Sequence, residues 1–281
     1  MTRSDILITA TELADLTASG RPVSVLDVRW ELAEPDGREA HSRGHVPGAV
    51  YVSLEAELSD HGRAGRGRHP LPSGAAVKAA ARRWGLRNGV PVVVYDDWNR
   101  AGSARAWWVL TAAGIPDVRI LDGGLSAWTA SGGDLETGSV AKEPGNVTVQ
   151  FPDLYHGALP TLTADEVTGF QGVLLDARAP ERFRGDSEPV DPVAGHVPGA
   201  RNAPSAAALT ADGTFLAETD LVRYFGERGA AGGEVGVYCG SGVTAAVTIA
   251  ALRVVGVEAK LFPGSWSQWS SDPSRKVATD E

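Results

Sequence analysis

At 281 residues, with 43% hydrophobic and 22% charged positions, the chain has the length of two ordinary domains and the composition of a globular protein. A net charge of −9 with no Lys/Arg cluster excludes a nucleic-acid footprint or an anionic membrane surface as partner, and no segment approaches the ~18 continuous apolar residues of a membrane span. The single cysteine, Cys239, excludes an intramolecular disulfide and any multi-cysteine zinc or iron-sulfur site; no metal or cofactor is expected.

Met1 to Asp5 is followed only by a short apolar patch that breaks at Thr9, which is neither a secretory h-region nor a transit peptide, and a cytoplasmic protein is expected. Thr9-Ala10-Thr11-Glu12 has the spacing of a capping box and predicts a helix start. Val25 to Arg29, a short apolar run ending in charge, reads as a buried strand reaching a sheet edge, and Gly44-His45-Val46-Pro47-Gly48-Ala49 follows as a turn. Val92 to Asp96 reads as a second strand, with a helix-compatible stretch from Ser103 to Ala113. Leu121-Asp122-Gly123-Gly124 with Trp128 closes this half. Residues 134–160 are rich in Gly, Pro, Ser and Thr without periodicity and read as a linker.

The same order then recurs. Thr163-Ala164-Asp165-Glu166 repeats the capping box, Leu174 to Arg178 the first strand, and Gly195-His196-Val197-Pro198-Gly199-Ala200 the turn, letter for letter. Val235 to Cys239 repeats the second strand, Thr244 to Val255 its helix, and Leu261 to Gly264 with Trp269 the close. Strands alternating with helices predict an α/β protein of two domains, residues 1–133 and 161–281, each a mainly parallel sheet flanked by helices on both faces.

The halves differ where chemistry is concentrated: the strand that ends in Asp96 in the first ends in Cys239 in the second. A lone cysteine is ordinarily a small buried hydrophobe. Here Gly240 and Gly242 in Cys239-Gly240-Ser241-Gly242-Val243-Thr244 let successive backbone N–H groups, including those of Val243 and Thr244, turn inward between a strand and a helix. That is a setting for a thiolate at the carboxyl end of a parallel strand, where open α/β sheets bind ligands. The two histidines of the repeated turn occur in both halves and read as structural hydrogen-bonders, as do Arg29 and Arg178 beside their acidic neighbours.

Taken together, Leu26-Asp27-Val28-Arg29-Trp30, the two Gly-His-Val-Pro-Gly-Ala turns, Arg182-Phe183-Arg184-Gly185, the Cys239 loop and Gly264-Ser265-Trp266 with Trp269 resemble the tandem-domain rhodaneses, specifically the mercaptopyruvate and thiosulfate sulfurtransferases, over nearly the whole length. The resemblance implies a silent first domain and a Cys239 persulfide that carries sulfane sulfur from a small-molecule donor to cyanide, a thiol or a protein. Cys-Gly-Ser-Gly-Val-Thr is similar to the mercaptopyruvate members, whereas thiosulfate-preferring members carry cations just after the cysteine; thiosulfate:cyanide transfer is the alternative. By the same resemblance Ser241 relays a proton, Glu55 stands where an aspartate completes that relay, His69 falls near another implicated residue, and Arg182 binds the donor's acid group. Two departures stand out. Asp191 occupies the place of a second arginine, leaving Arg184 as the only obvious spare cation, and Glu55 is one methylene longer than the aspartate.

The loop also bears on two other functions. Phosphatases of this fold end a longer cysteine loop in arginine, but Ala245 stands there. A nonenzymatic sulfur-binding or regulatory module typically loses the cysteine, which this chain retains.

Overall fold

The computed structural model describes residues 2–279. The chain folds into two compact units: Met1–Asp60, Leu71–Leu159 and Thr210–Phe215 form one, and His61–Pro70, Pro160–Leu209 and Leu216–Glu281 form the other. Each unit therefore contains a short segment from the opposite half of the sequence.

In the first unit β1 (Leu7–Ile8), β2 (Ser24–Asp27), β3 (Val50–Tyr51), β4 (Val92–Tyr95) and β5 (Val118–Leu121) make an all-parallel sheet of order β1-β5-β4-β2-β3. In the second, β6 (Val173–Asp176), β7 (Arg201–Asn202), β8 (Val235–Tyr238) and β9 (Ala259–Leu261) make a parallel sheet of order β7-β6-β8-β9. The registers coincide: Asp27 pairs with Tyr95, and Asp176 with Tyr238. A counterpart of β1 survives in the second unit only as a parallel bridge between Thr161 and Leu261. β4 and β8 are buried along their whole length, as expected of interior parallel strands covered by helices on both faces.

Local chemistry explains the helix starts. Thr9 Oγ1 accepts from Glu12 N at 3.2 Å while Glu12 Oε2 accepts from Thr9 N at 2.8 Å. Thr163 and Glu166 repeat the exchange at 3.2 and 2.7 Å. Each box satisfies two otherwise orphaned donors, a contribution of about 1 kcal/mol per cap. Helix Ala101–Ala112 follows β4, and helix Ala245–Val254 follows β8; in the latter every residue except Arg253 is buried. Ile8, Leu13, Val93 and Trp128 anchor the first core, and Leu174, Phe183, Phe262, Trp266 and Trp269 the second.

A buried polar pattern is repeated as faithfully as the strands. Arg29 pairs with Asp27 at 3.0 Å and donates to the carbonyl of Gly44; Arg178 pairs with Asp176 at 2.6 Å and donates to the carbonyl of Gly195 at 2.6 Å. Burial opposes the charge on Arg178, yet Asp176, Tyr238 and Glu188 together outweigh it and hold the guanidinium above its ordinary value. His45 Nδ1 lies 2.8 Å from the His41 carbonyl, and His196 Nδ1 lies 2.8 Å from that of Phe183. The backbones of His45 and His196 bridge Glu136 and Ala278 respectively. Both histidines thus fasten a turn, in the copy with the cysteine and in the copy without it.

Candidate active site

β8 ends at Tyr238, and Cys239 follows directly, buried to 1% exposure. The loop is tied down by its neighbour. Cys239 N donates to Ser265 Oγ at 3.1 Å, Trp266 N donates to the Cys239 carbonyl at 2.9 Å, and Ser267 N donates to that of Gly240 at 2.8 Å. With the backbone so held, Gly242 N points at the sulfur and donates to Sγ at 3.1 Å. Gly242 needs its bare α-carbon: its φ is +78°, and the Pro263 carbonyl stands where a side chain would go. Ser265 adopts a left-handed φ of 52° while fully buried, a strained conformation retained at the segment that grips the cysteine. Val243 is buried and Thr244 half-buried, and helix Ala245–Val254 begins at once. An amide N–H and a helix N-terminus, both sources of positive potential, therefore stand beside the sulfur.

His61–Pro70 brings two more groups to this loop. His69 Nδ1 and Ser241 Oγ lie 2.7 Å apart, both residues buried. Arg68 is held through its backbone N–H on Ser267 Oγ at 3.0 Å and through Nη1 on Asp191 Oδ1 at 2.7 Å. Arg182 reaches the same place from the helix Pro180–Arg184. Its Nη2 donates to Glu188 Oε1 at 2.5 Å and to Asp191 Oδ2 at 3.3 Å. A side-chain carbon at Gly240 would lie 3.4 Å from Arg68 Nη2 and 3.6 Å from Arg182 Nη1, so both guanidiniums flank the residue after the cysteine. Burial raises the Glu188 carboxyl, but the Arg182 guanidinium and the backbone N–H groups of Asp191 and Val190 prevail and hold it below the usual carboxylate range.

Of the residues singled out in the sequence, Cys239, Gly240, Ser241, Gly242, Val243, Thr244, Arg182 and His69 all meet in the second unit. Glu55 belongs to the first, where its Oε1 accepts from Trp30 Nε1 at 2.6 Å. Arg184 is not the spare cation of this site. It is 39% exposed and its Nε donates to Asp186 Oδ2 at 2.8 Å, because the helix turns it away from the face that carries Arg182. The second cation beside the loop is Arg68, whose one sequence signal is adjacency to His69 in a Gly/Arg run.

The matching position of the first unit has a different occupant. Asp96 Oδ1 accepts from the N–H groups of Trp98 and Arg100, each at 3.2 Å, and Oδ2 accepts from Ser103 N at 2.9 Å and Ser103 Oγ at 2.7 Å. A fixed carboxylate fills the nest that faces sulfur in the other copy.

Fold and site together define a duplicated α/β protein with one thiol-bearing copy. The rhodanese-like domain model matches residues 9–131 and again 162–272, and the chain belongs to the rhodanese family, as a tandem-domain sulfurtransferase. It is 64% identical over 98% of its length, and 97% of the relative's, to a Mycobacterium tuberculosis protein provisionally named thiosulfate sulfurtransferase SseB. It is 34% identical to the 3-mercaptopyruvate sulfurtransferase of Escherichia coli, covering 89% of each chain. Among solved structures, SseA of Escherichia coli, described as a 3-mercaptopyruvate enzyme, superposes with a TM-score of 0.81 over 95% of this chain and all of that one, at 30% identity. No helix among the described residues is long and apolar enough to cross a membrane.

Proposed function

We propose that the chain carries a sulfane sulfur from 3-mercaptopyruvate to a thiophilic acceptor through a persulfide on Cys239. The observation that carries this reading is the Gly242 N–H on the Cys239 sulfur with the His69–Ser241 pair on the same loop. The Cys239 thiolate attacks the donor sulfur, the C–S bond breaks, and its electron pair leaves on carbon as the enolate of pyruvate. The proton released from the transferred S–H ends on that carbon, which His69 and Ser241 mediate, so the products are a persulfide anion and pyruvate. An acceptor thiolate or cyanide then takes the outer sulfur and restores the thiolate. No oxidant or reductant is consumed.

The backbone of Gly240, Gly242, Val243 and Thr244 would hold the sulfur anion in either state, with Arg182 anchoring the donor's carboxylate by a charge-assisted bond. A lone thiol of this kind has to stay reduced, in keeping with cytoplasmic work on small donors and on thiol or protein acceptors. A supporting carboxylate is the role we assign to Glu55: Glu55→Gln should slow mercaptopyruvate turnover, and unchanged turnover removes Glu55 from the relay. Thiosulfate is the second reading, favoured by the name of the mycobacterial relative.

The test is direct. Wild-type protein treated with mercaptopyruvate should gain one sulfur on the Cys239 peptide under nonreducing mass spectrometry, and Cys239→Ser should fold but make no thiocyanate above the uncatalysed rate. Thiocyanate production by Cys239→Ser, or a larger kcat/KM for thiosulfate than for mercaptopyruvate in the wild type, overturns the reading in its mechanism or its donor respectively.

A further inference from the structure

One ion-pair network beside the cysteine loop is balanced in charge. Arg68, Arg178 and Arg182 are faced by Asp176, Glu188 and Asp191, three cations against three carboxylates joined by ion pairs of 2.5 to 3.3 Å. Asp191 is the link between the two arginines that flank Gly240: one oxygen holds Arg68 at 2.7 Å, the other Arg182 at 3.3 Å, and its side chain is 3% exposed. Both guanidiniums are gripped from that side, Arg182 also by Glu188. Arg68 Nη2 and Arg182 Nη1, the atoms nearest Gly240, have no hydrogen-bond partner among the described residues. Arg68 Nε is buried and also without one. The Arg68 backbone is pinned, with Gly67 at a φ of +85° against the Gly264 carbonyl and the Arg68 N–H on Ser267, and its side chain is held through Nη1 on Asp191.

This geometry separates two properties that usually travel together. N–H donors converge beside the loop from two directions, which suits an acid group. The network behind them sums to zero charge, so it adds little of the long-range attraction that would reward a second negative charge on the ligand. We propose that Arg68 is the second anchor for the donor's acid group and that Asp191 sets donor selectivity by charge, favouring a donor with one negative charge over one with two. This rests on the reading above that the site takes a sulfur donor.

The experiment measures kcat/KM for mercaptopyruvate, a monoanion, and thiosulfate, a dianion, against cyanide in the wild type, Asp191→Asn, Arg68→Gln and Arg68→Lys at low and high salt. Asp191→Asn keeps the shape and adds one net positive charge. It should move the ratio of the two kcat/KM values about tenfold toward thiosulfate, a factor worth about 1.4 kcal/mol, and the shift should shrink at high salt. Arg68→Gln should raise KM for both donors about tenfold with a smaller change in kcat, and Arg68→Lys should recover part of the loss. An unchanged ratio in Asp191→Asn, with the persulfide still forming on Cys239, overturns the charge proposal and leaves the sulfur-transfer reading standing. Absence of persulfide in the wild type with either donor defeats that reading itself. A wild-type KM in Arg68→Gln removes Arg68 from the site. Should Asp191→Asn fail to fold, competition in the wild type decides the same point: pyruvate should inhibit at lower concentration than sulfate, and the reverse order overturns the proposal.

Discussion

The His69–Ser241 contact allows the proton step to be tested by its coupling. The two groups lie 2.7 Å apart and both residues are buried, so neither is readily replaced by bulk water when the other is removed. If they form one relay, breaking it at either end should cost the same: Ser241→Ala, His69→Asn and the double variant should each lose roughly 10²-fold or more in kcat for mercaptopyruvate, the low end of general acid–base catalysis. The coupling energy of the cycle would then equal the single loss, about 2.7 kcal/mol at 1.36 kcal/mol per decade. A purely structural hydrogen bond would give a coupling near 1 kcal/mol.

Thiosulfate supplies the internal control. Its leaving group is sulfite, which departs with its electron pair and requires no proton, whereas the enolate of pyruvate must be protonated on carbon. The losses should therefore be confined to mercaptopyruvate. Pyruvate and thiocyanate formation would be followed for all four proteins, with thermal melts to verify folding. Equal losses with both donors, or two single losses that multiply in the double variant, would show that the pair shapes the loop and moves no proton.

Gly242→Ala should destabilise the protein by about 1 to 2 kcal/mol and abolish turnover, since φ is +78° there and the Pro263 carbonyl blocks the new methyl; a chemical melt and a thiocyanate assay check both. Glu188 carries the pH prediction. Its carboxyl is held below the usual range, so its stabilisation is complete above the ordinary carboxylate value of ~4.3 and is lost as pH falls through the lowered folded value. Wild-type melting temperature should drop across that acid window, and Glu188→Gln should be less stable at neutral pH with a shallower drop; an equal slope in both refutes the assignment.

How far the site could be read from the residues alone follows from which contacts are local. Cys239, its glycines and its strand–loop–helix setting are consecutive, and the repeat with Asp96 in the cysteine's place isolates them; the buried Asp–Arg pairs are two residues apart and equally legible. His69 was legible only through resemblance, because its meeting with Ser241 depends on the segment His61–Pro70 belonging to the compact unit of the opposite half. Arg68 has no signal beyond its adjacency to His69. An arginine in a Gly/Arg run has no periodicity to place it, and the two bonds that aim it go to Ser267 and Asp191, far along the chain. Asp191 stands out in the sequence as a departure from the family pattern, where its position alone implies a lost cation. In the fold its carboxylate grips Arg68 and Arg182 together, so a reversed charge at one position is answered by an arginine from elsewhere. Substitutions around an anion site are therefore better compared by the donors and net charge they leave facing the ligand than position by position, since hydrogen-bond geometry and electrostatic field can be supplied by different residues.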